Sequence, residues 1–213
     1  MKVGFIGLGK LGRDAAEVLA EKHEVVGYDP NITIDGLSGT LEETCKDKDI
    51  VLIAVQTPHD PKYGGETPTS HLEPKDFDYS YLIKAVKDVD ELVNQGTLIA
   101  VISTVLPGTV RREIVPLVKN GKFIYNPYLI AQGTVKWDMR NPEMIMIGTS
   151  SGHKSREVSM LYNLYDPILE KNCRYEIGTW EEIEALKVFY NTFITAKLCL
   201  VNMIQDVAMK VGN

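Results

Sequence analysis

The sequence predicts an α/β fold, a doubly wound parallel sheet followed by one long carboxy-terminal helix. Three observations predict it. A glycine-rich turn stands between an apolar run and a helical pattern at the very start of the chain. Short apolar runs then alternate with amphipathic stretches as far as Ile177. From Thr179 or Trp180 a helical pattern runs unbroken to Val211. Strands alternating with helices imply a parallel sheet covered on both faces.

Lys2 to Ile6 is a short apolar run, the first strand. Gly7-Leu8-Gly9-Lys10-Leu11-Gly12 follows, then a helical pattern from Asp14 to Lys22, then a second strand, His23 to Asp29, that ends in an acid. This is a G-x-G-x-x-G fingerprint in the strand, turn, helix, strand setting of a Rossmann dinucleotide-binding unit. Gly7 allows the tight turn. Gly9 lets the backbone approach a pyrophosphate. Gly12 lets the helix pack close to the strand. The free N–H groups at the helix start favour phosphate charge. Lys10 and Leu11 are grouped with the cofactor residues. Asp29 is placed to accept both hydroxyls of an adenine ribose, and a 2′-phosphate there would meet like charge. NAD is therefore expected rather than NADP. The alternative is a glycine turn that binds nothing.

Pro30 to Thr40 is loop-rich, and Leu41 to Lys48 has the pattern of a short helix. Asp49 to Val55 is a third strand, apolar almost throughout, as a strand covered on both faces should be. Ligands sit beyond the carboxyl ends of strands in open α/β sheets, which puts Val55 and Thr57 at the cofactor. A Thr57 hydroxyl that merely starts a turn is the plainer alternative. His59 to Asp76 is the longest irregular stretch, and loops of this length are lids, binding loops or disordered segments. Tyr79 to Asn94 is an amphipathic helix and Thr97 to Ile102 a fourth strand, followed by Ser103 to Thr109. Val110 to Lys119 is helical, Lys122 to Tyr125 a fifth strand, Met144 to Ile147 a sixth, Ser155 to Leu169 a helix and Cys173 to Ile177 a last strand. Gly178 marks a boundary: residues 1–178 form the Rossmann domain, and 179–213 begin a second unit with the long helix.

Composition bounds the function. With 44% hydrophobic and 24% charged residues the chain is ordinary globular protein. Net charge is −6 with no basic run, which argues against nucleic acid. Cys45, Cys173 and Cys199 are far apart, no C-x-x-C occurs and the histidines do not cluster, so no metal site is expected. The first strand leaves no room for a signal peptide. No uninterrupted apolar run reaches ~18 residues, which gives no membrane span. The expected location is the cytoplasm.

The motifs resemble those of the UDP-glucose/GDP-mannose dehydrogenase family over essentially the whole chain. Val55-Gln56-Thr57-Pro58 is similar to its V-x-T-P. Ser103-Thr104-Val105-Leu106-Pro107-Gly108-Thr109 is similar to its S-T-x-x-P-G-T. Asn141-Pro142-Glu143-Met144-Ile145-Met146-Ile147-Gly148 resembles N-P-D-R-I-V-I-G. Glu184 to Phe193 resembles E-x-x-K-x-x-x-N-x-F. The resemblance implies an NAD-dependent oxidation of the C6 hydroxymethyl of a nucleotide sugar, as used in polysaccharide biosynthesis. An aldehyde forms first, and a cysteine of a later domain captures it for the second oxidation. On that pattern Thr104 sits by the nicotinamide and holds a catalytic water, while Lys187 and Asn191 surround the reacting oxygen.

Residue chemistry gives independent support. Lys187 and Asn191 are four apart and share a helix face, and Glu184 joins it. An ammonium and an amide together can stabilise an oxyanion. The alternative is a surface lysine paired with Glu184. Two departures stand against the matches. Where the family reads N-P-E-F-L-R-E-G, this chain has Asn126-Pro127-Tyr128-Leu129-Ile130-Ala131-Gln132-Gly133. Gln132 can hydrogen-bond a water but cannot take its proton. The family's cysteine motif and sugar-nucleotide-binding domain lie beyond the long helix and outside these residues. Cys199, among apolar neighbours on that helix, is expected to be an inert buried thiol.

Three readings follow: a nucleotide-sugar dehydrogenase, a two-electron β-hydroxyacid or 6-phosphogluconate-type dehydrogenase acting on another small polar alcohol, or a non-catalytic NAD-binding module. The nearly all-apolar stretch Phe193 to Ile204 predicts a homodimer through helix 180–211, against its mate or the mate's Rossmann domain. The resemblance also implies that arrangement, and a monomer with the helix folded back on its own sheet is the alternative.

Overall fold

The computed structural model describes residues 1–212. Seven strands form one sheet: β1 Lys2–Ile6, β2 Glu24–Tyr28, β3 Ile50–Ile53, β4 Leu98–Val101, β5 Lys122–Tyr125, β6 Met144–Thr149 and β7 Arg174–Thr179. Their order is β2-β1-β3-β4-β5-β6-β7. The helices are α1 Gly12–Ala20, α2 Leu41–Cys45, α3 Ser80–Leu92, α4 Val135–Arg140, α5 Arg156–Tyr165 and α6 Trp180–Val211. All pairings are parallel except β5 with β6, where Tyr125 opposes Gly148 in an antiparallel bridge. The expected wholly parallel sheet is therefore corrected at that one pairing.

Alternation along the central strands divides the core into two layers. Ile50, Leu52, Leu98, Ala100 and Ile124 face α1, α4 and α5. Val51, Ile53, Ile99, Val101 and Tyr125 face α3 and the start of α6. Both sets are completely buried, which is why these strands read as continuous apolar runs rather than as alternating ones.

Several boundaries differ from the expectation. Proline explains two of them. Val110 to Lys119 is one π-type turn, Val110–Ile114, and one 3-10 turn, Val115–Leu117, because Pro116 lacks an N–H to continue a helix. Pro167 likewise ends α5 at Tyr165 and leaves a 3-10 turn at Asp166–Ile168. Helix α4 is an element the sequence analysis did not assign. Its signals are short: Val135 and Met139 are buried four apart, and Asp138 accepts from the Ala131 N–H at 2.9 Å and the Thr134 hydroxyl at 2.7 Å.

Helix α6 starts where the sequence places it. Thr179 and Glu182 form a capping box, each side chain accepting from the other's backbone N–H at 3.3 and 2.7 Å. Trp180 then packs edge-on against Phe123 and beneath the Arg111 guanidinium, 4.8 Å from its ring centroid. No proline or glycine interrupts the helix, whose length is about 48 Å at ~1.5 Å per residue. Its first turns bury Trp180, Ile183, Glu184 and Lys187; from Asn191 to Gly212 every residue is exposed.

That exposure sets aside the alternative of a helix folded back on its own sheet and corrects one expectation. Cys199 is exposed, and the buried thiol is Cys45, whose pKa burial pushes up to about 12. The membrane reading changes too. Isolated polar residues break the apolar run in sequence, yet the best window of α6 has mean hydropathy 1.2. By length and composition this one helix is able to cross a membrane.

Candidate active site

Strand order reverses at β1, and ligands in such sheets bind outside the carboxyl ends at that point. A cleft of about 890 Å³ opens there, above the ends of β1 to β4. The glycine turn forms its floor. Gly7 has φ +95°, a left-handed conformation, and its N–H donates to the Tyr28 carbonyl at 2.9 Å. A Cβ on Gly12 would lie 1.9 Å from the Gly7 carbonyl oxygen, so the α1 start packs on the turn only as glycine. A Cβ on Gly9 would meet nothing within 4 Å; it would project into free space beside the cleft-lining backbone. The turn is thus close-packed beneath and open above, a shape that fits a pyrophosphate on backbone N–H groups.

Asp29 borders the same cleft. One carboxylate oxygen accepts the Leu8 N–H at 3.0 Å and the other the Asn31 N–H at 2.9 Å. These bonds fix the carboxylate against the turn and leave it lone pairs for a ribose. On the other side the loops after β3 and β4 are stitched together. The Thr57 hydroxyl donates to the Thr104 carbonyl at 2.7 Å, and the Ser103 hydroxyl donates to the Val55 carbonyl at 2.6 Å. Thr57 therefore does more than start a turn: it places Thr104.

The far end of the cleft is built by α6. Lys187 is only 8% exposed, and its ammonium donates to the Tyr128 carbonyl at 2.6 Å. No carboxylate lies within ion-pair reach among the described residues, and burial holds its pKa below the ordinary lysine value. Glu184 does not pair with it. That carboxylate is completely buried and accepts the Gly108 and Val110 N–H groups, each at 2.6 Å. Burial raises its pKa against the lowering effect of the two bonds. The surface pair Lys187–Glu184 is thus replaced by two separate anchors, one to each loop.

Gly7, Gly9, Lys10, Leu11, Gly12, Asp29, Val55, Thr57, Thr104, Gln132 and Lys187 all line the cleft. Asn191 does not. It is one turn beyond Lys187, where α6 has left the sheet, and it is exposed. The long loop from His59 to Asp76 contributes no lining residue either. Its neck is closed by the Asp78 N–H on the Pro58 carbonyl at 2.8 Å, and Lys75 pairs with Asp60 across it at 2.5 Å. Sequence reasoning missed Tyr81, Lys84, Ala85 and Asp88, a stripe on α3 that lines the cleft past Asp29. Its signal was the row beside the buried Leu82, Val86 and Val89, legible only once the strand order is known.

Comparison with known proteins agrees with this fold. The family model described as "UDP-glucose/GDP-mannose dehydrogenase family, NAD binding domain" matches residues 33–168, more than half of the chain. The GDP-mannose 6-dehydrogenase of Pseudomonas aeruginosa is 27% identical, with 100% of this chain aligned to 54% of that protein. The UDP-glucose 6-dehydrogenase of Rickettsia prowazekii is 28% identical over 68% of this chain and 33% of its own. A crystal structure of a ternary complex of the Pseudomonas aeruginosa GDP-mannose dehydrogenase superposes with a TM-score of 0.80 at 24% identity, covering 100% of this chain and 54% of that one. The chain spans about half, or less, of the length of these relatives.

Proposed function

The chain belongs to the UDP-glucose/GDP-mannose dehydrogenase family, and from that premise we propose that its cleft carries out a hydride transfer from a nucleotide-sugar alcohol to NAD. NAD is the cofactor of this family's domain, and the glycine turn with Asp29 fits it. One observation carries the reading. A buried lysine with no carboxylate partner among the described residues stands in the same cleft as the dinucleotide turn. An ammonium so placed has its charge free for an oxygen that becomes negative during reaction.

When bound, NAD supplies the hydride acceptor. Gly7, Gly9, Lys10, Leu11 and Gly12 would hold its phosphates and Asp29 its adenine ribose, with Val55, Thr57 and Thr104 as the residues that would receive the nicotinamide end. Lys187 stabilises the substrate oxygen as the hydroxyl proton passes to a water in the cleft and on to solvent, while the C6 hydride goes to the nicotinamide. One alcohol thus yields one aldehyde, one NADH and one proton. Thr104 and Gln132 orient a water, which Gln132 cannot deprotonate. None of the three cysteines lines the cleft, so the first, two-electron oxidation is the step assigned to these residues. We take residues 1–178 as the NAD-binding unit and 179–213 as the start of a second, with Asn191 acting from beyond the cleft only when a partner brings it in.

That partner is a second copy. Phe193, Leu198, Leu200, Val201 and Ile204 are each 50% to 69% exposed. Burying such side chains is worth roughly 1.5–3 kcal/mol apiece, enough to drive pairing of two α6 helices. The function is tested by incubating the chain with NAD⁺ and UDP-glucose or GDP-mannose. NADH formed once per sugar, and lost in Lys187→Ala, is expected. Bound NAD⁺ without NADH from any nucleotide sugar would favour the non-catalytic module.

A further inference from the structure

Tyr128 stands where the family pattern has a glutamate, and its surroundings show what the tyrosine does. Asn126 is completely buried at the end of β5. Its side-chain N–H donates to the Met146 carbonyl at 2.8 Å, and since that carbonyl can only accept, the amide orientation is fixed. Its side-chain oxygen therefore faces Tyr165, whose hydroxyl donates to it. Tyr165, 2% exposed at the end of α5, has then used its only proton. The Tyr128 hydroxyl lies 2.9 Å from that of Tyr165, so here Tyr128 must be the donor. The two rings meet edge to face, centroids 6.2 Å apart. Burial pushes both phenols above their ordinary pKa, which keeps both protons in place.

The backbone gives a reason for this chain of bonds. From Pro127 to Ile130 no backbone–backbone hydrogen bond fixes the loop among the described residues. The phenol is the hydrogen-bonded side-chain tie of Tyr128, and its carbonyl is the group that receives the Lys187 ammonium. We infer that Asn126 and Tyr165 are positioning residues: through the Tyr128 hydroxyl they fix the Tyr128 carbonyl, and through that carbonyl the Lys187 ammonium. The inference deepens the proposed function, since its value for catalysis rests on Lys187 acting at the reacting oxygen.

Competitive acetylation read by mass spectrometry tests it without any turnover. The rate at Lys187 is divided by the rate at Lys46, an exposed lysine just after α2 that does not line the cleft. Tyr165→Phe and Tyr128→Phe each cut the same chain, and each should raise the ratio about five- to ten-fold, the effect of losing one neutral hydrogen bond. A purely structural role would lower the melting temperature and leave the ratio unmoved. An unchanged ratio in folded Tyr165→Phe overturns the inference. If circular dichroism shows Tyr165→Phe unfolded, Tyr128→Phe decides alone, and an unchanged ratio there overturns it equally. Absence of dehydrogenase activity would count against the proposed function and leave this result standing.

Discussion

Glu184 is the residue on which α6 and the loop after β4 depend together. Its carboxylate is completely buried and receives two N–H groups, from Gly108 and Val110, at 2.6 Å each. Glu184→Ala removes both acceptors and leaves two buried donors unpaired. Each such donor costs about 1–3 kcal/mol, while relief of the buried charge returns part of it. The expected net loss is about 2–4 kcal/mol, a large share of the ~5–15 kcal/mol that holds a domain. Urea unfolding measures the loss. Hydrogen exchange locates it: the Gly108 and Val110 amides should lose protection by about 30–700-fold, a factor of ten per ~1.4 kcal/mol. Because burial raises the Glu184 pKa, the folded form holds its proton to higher pH than the unfolded form. The contribution is therefore fully present below the unfolded value of 4.5 and is lost as pH rises through the folded pKa. The advantage of wild type over Glu184→Gln should shrink along that rise. A variant within about 0.5 kcal/mol of wild type, with both amides still protected, would refute the anchoring argument.

Other outcomes follow from single contacts. Gly12→Ala should abolish NAD⁺ binding by calorimetry and destabilise the domain by at least ~1–3 kcal/mol, since its Cβ would lie 1.9 Å from the Gly7 oxygen. Asp29→Ala should erase the preference for NAD⁺ over NADP⁺ in parallel titrations, with a loss of about 1.5–3 kcal/mol for NAD⁺. Lys187→Met should lose hydride transfer and yet be as stable as wild type at neutral pH. The lowered lysine pKa means that burying the ammonium costs stability at every pH below the folded value, a cost that fades as pH rises towards 10.5. A variant clearly less stable at neutral pH would contradict this. Leu200→Glu should shift a sedimenting dimer to monomer or aggregate, and a wild-type species at the 23.8 kDa chain mass would rule the dimer out.

Much of the site was legible because its parts are local. The glycine turn, Asp29, the loop ends at Thr57 and Thr104 and the start of α6 at Thr179 or Trp180 each announce themselves within a few residues. What the sequence could not show depends on distant neighbours. Glu184 and Lys187 share a helix face, which suggested a pair, but the loops at Gly108 and Tyr128 offer each a separate partner. Asn191 follows Lys187 on the same face, yet α6 leaves the sheet between them. Cys199 read as buried from its neighbours, because an apolar sequence does not say whether its cover is in the same chain. The antiparallel β5–β6 pairing has no signature in either strand.

Hydride transfer itself tests the account most directly. Nucleotide sugars carrying deuterium at C6 are incubated with NAD⁺ and the purified chain, wild type or Lys187→Met, and the NADH is analysed by mass spectrometry. The account predicts one deuterium delivered per sugar by wild type and none by the variant. NAD⁺ bound at the glycine turn with no deuterium transferred from any nucleotide sugar, or equal transfer by both proteins, would contradict it.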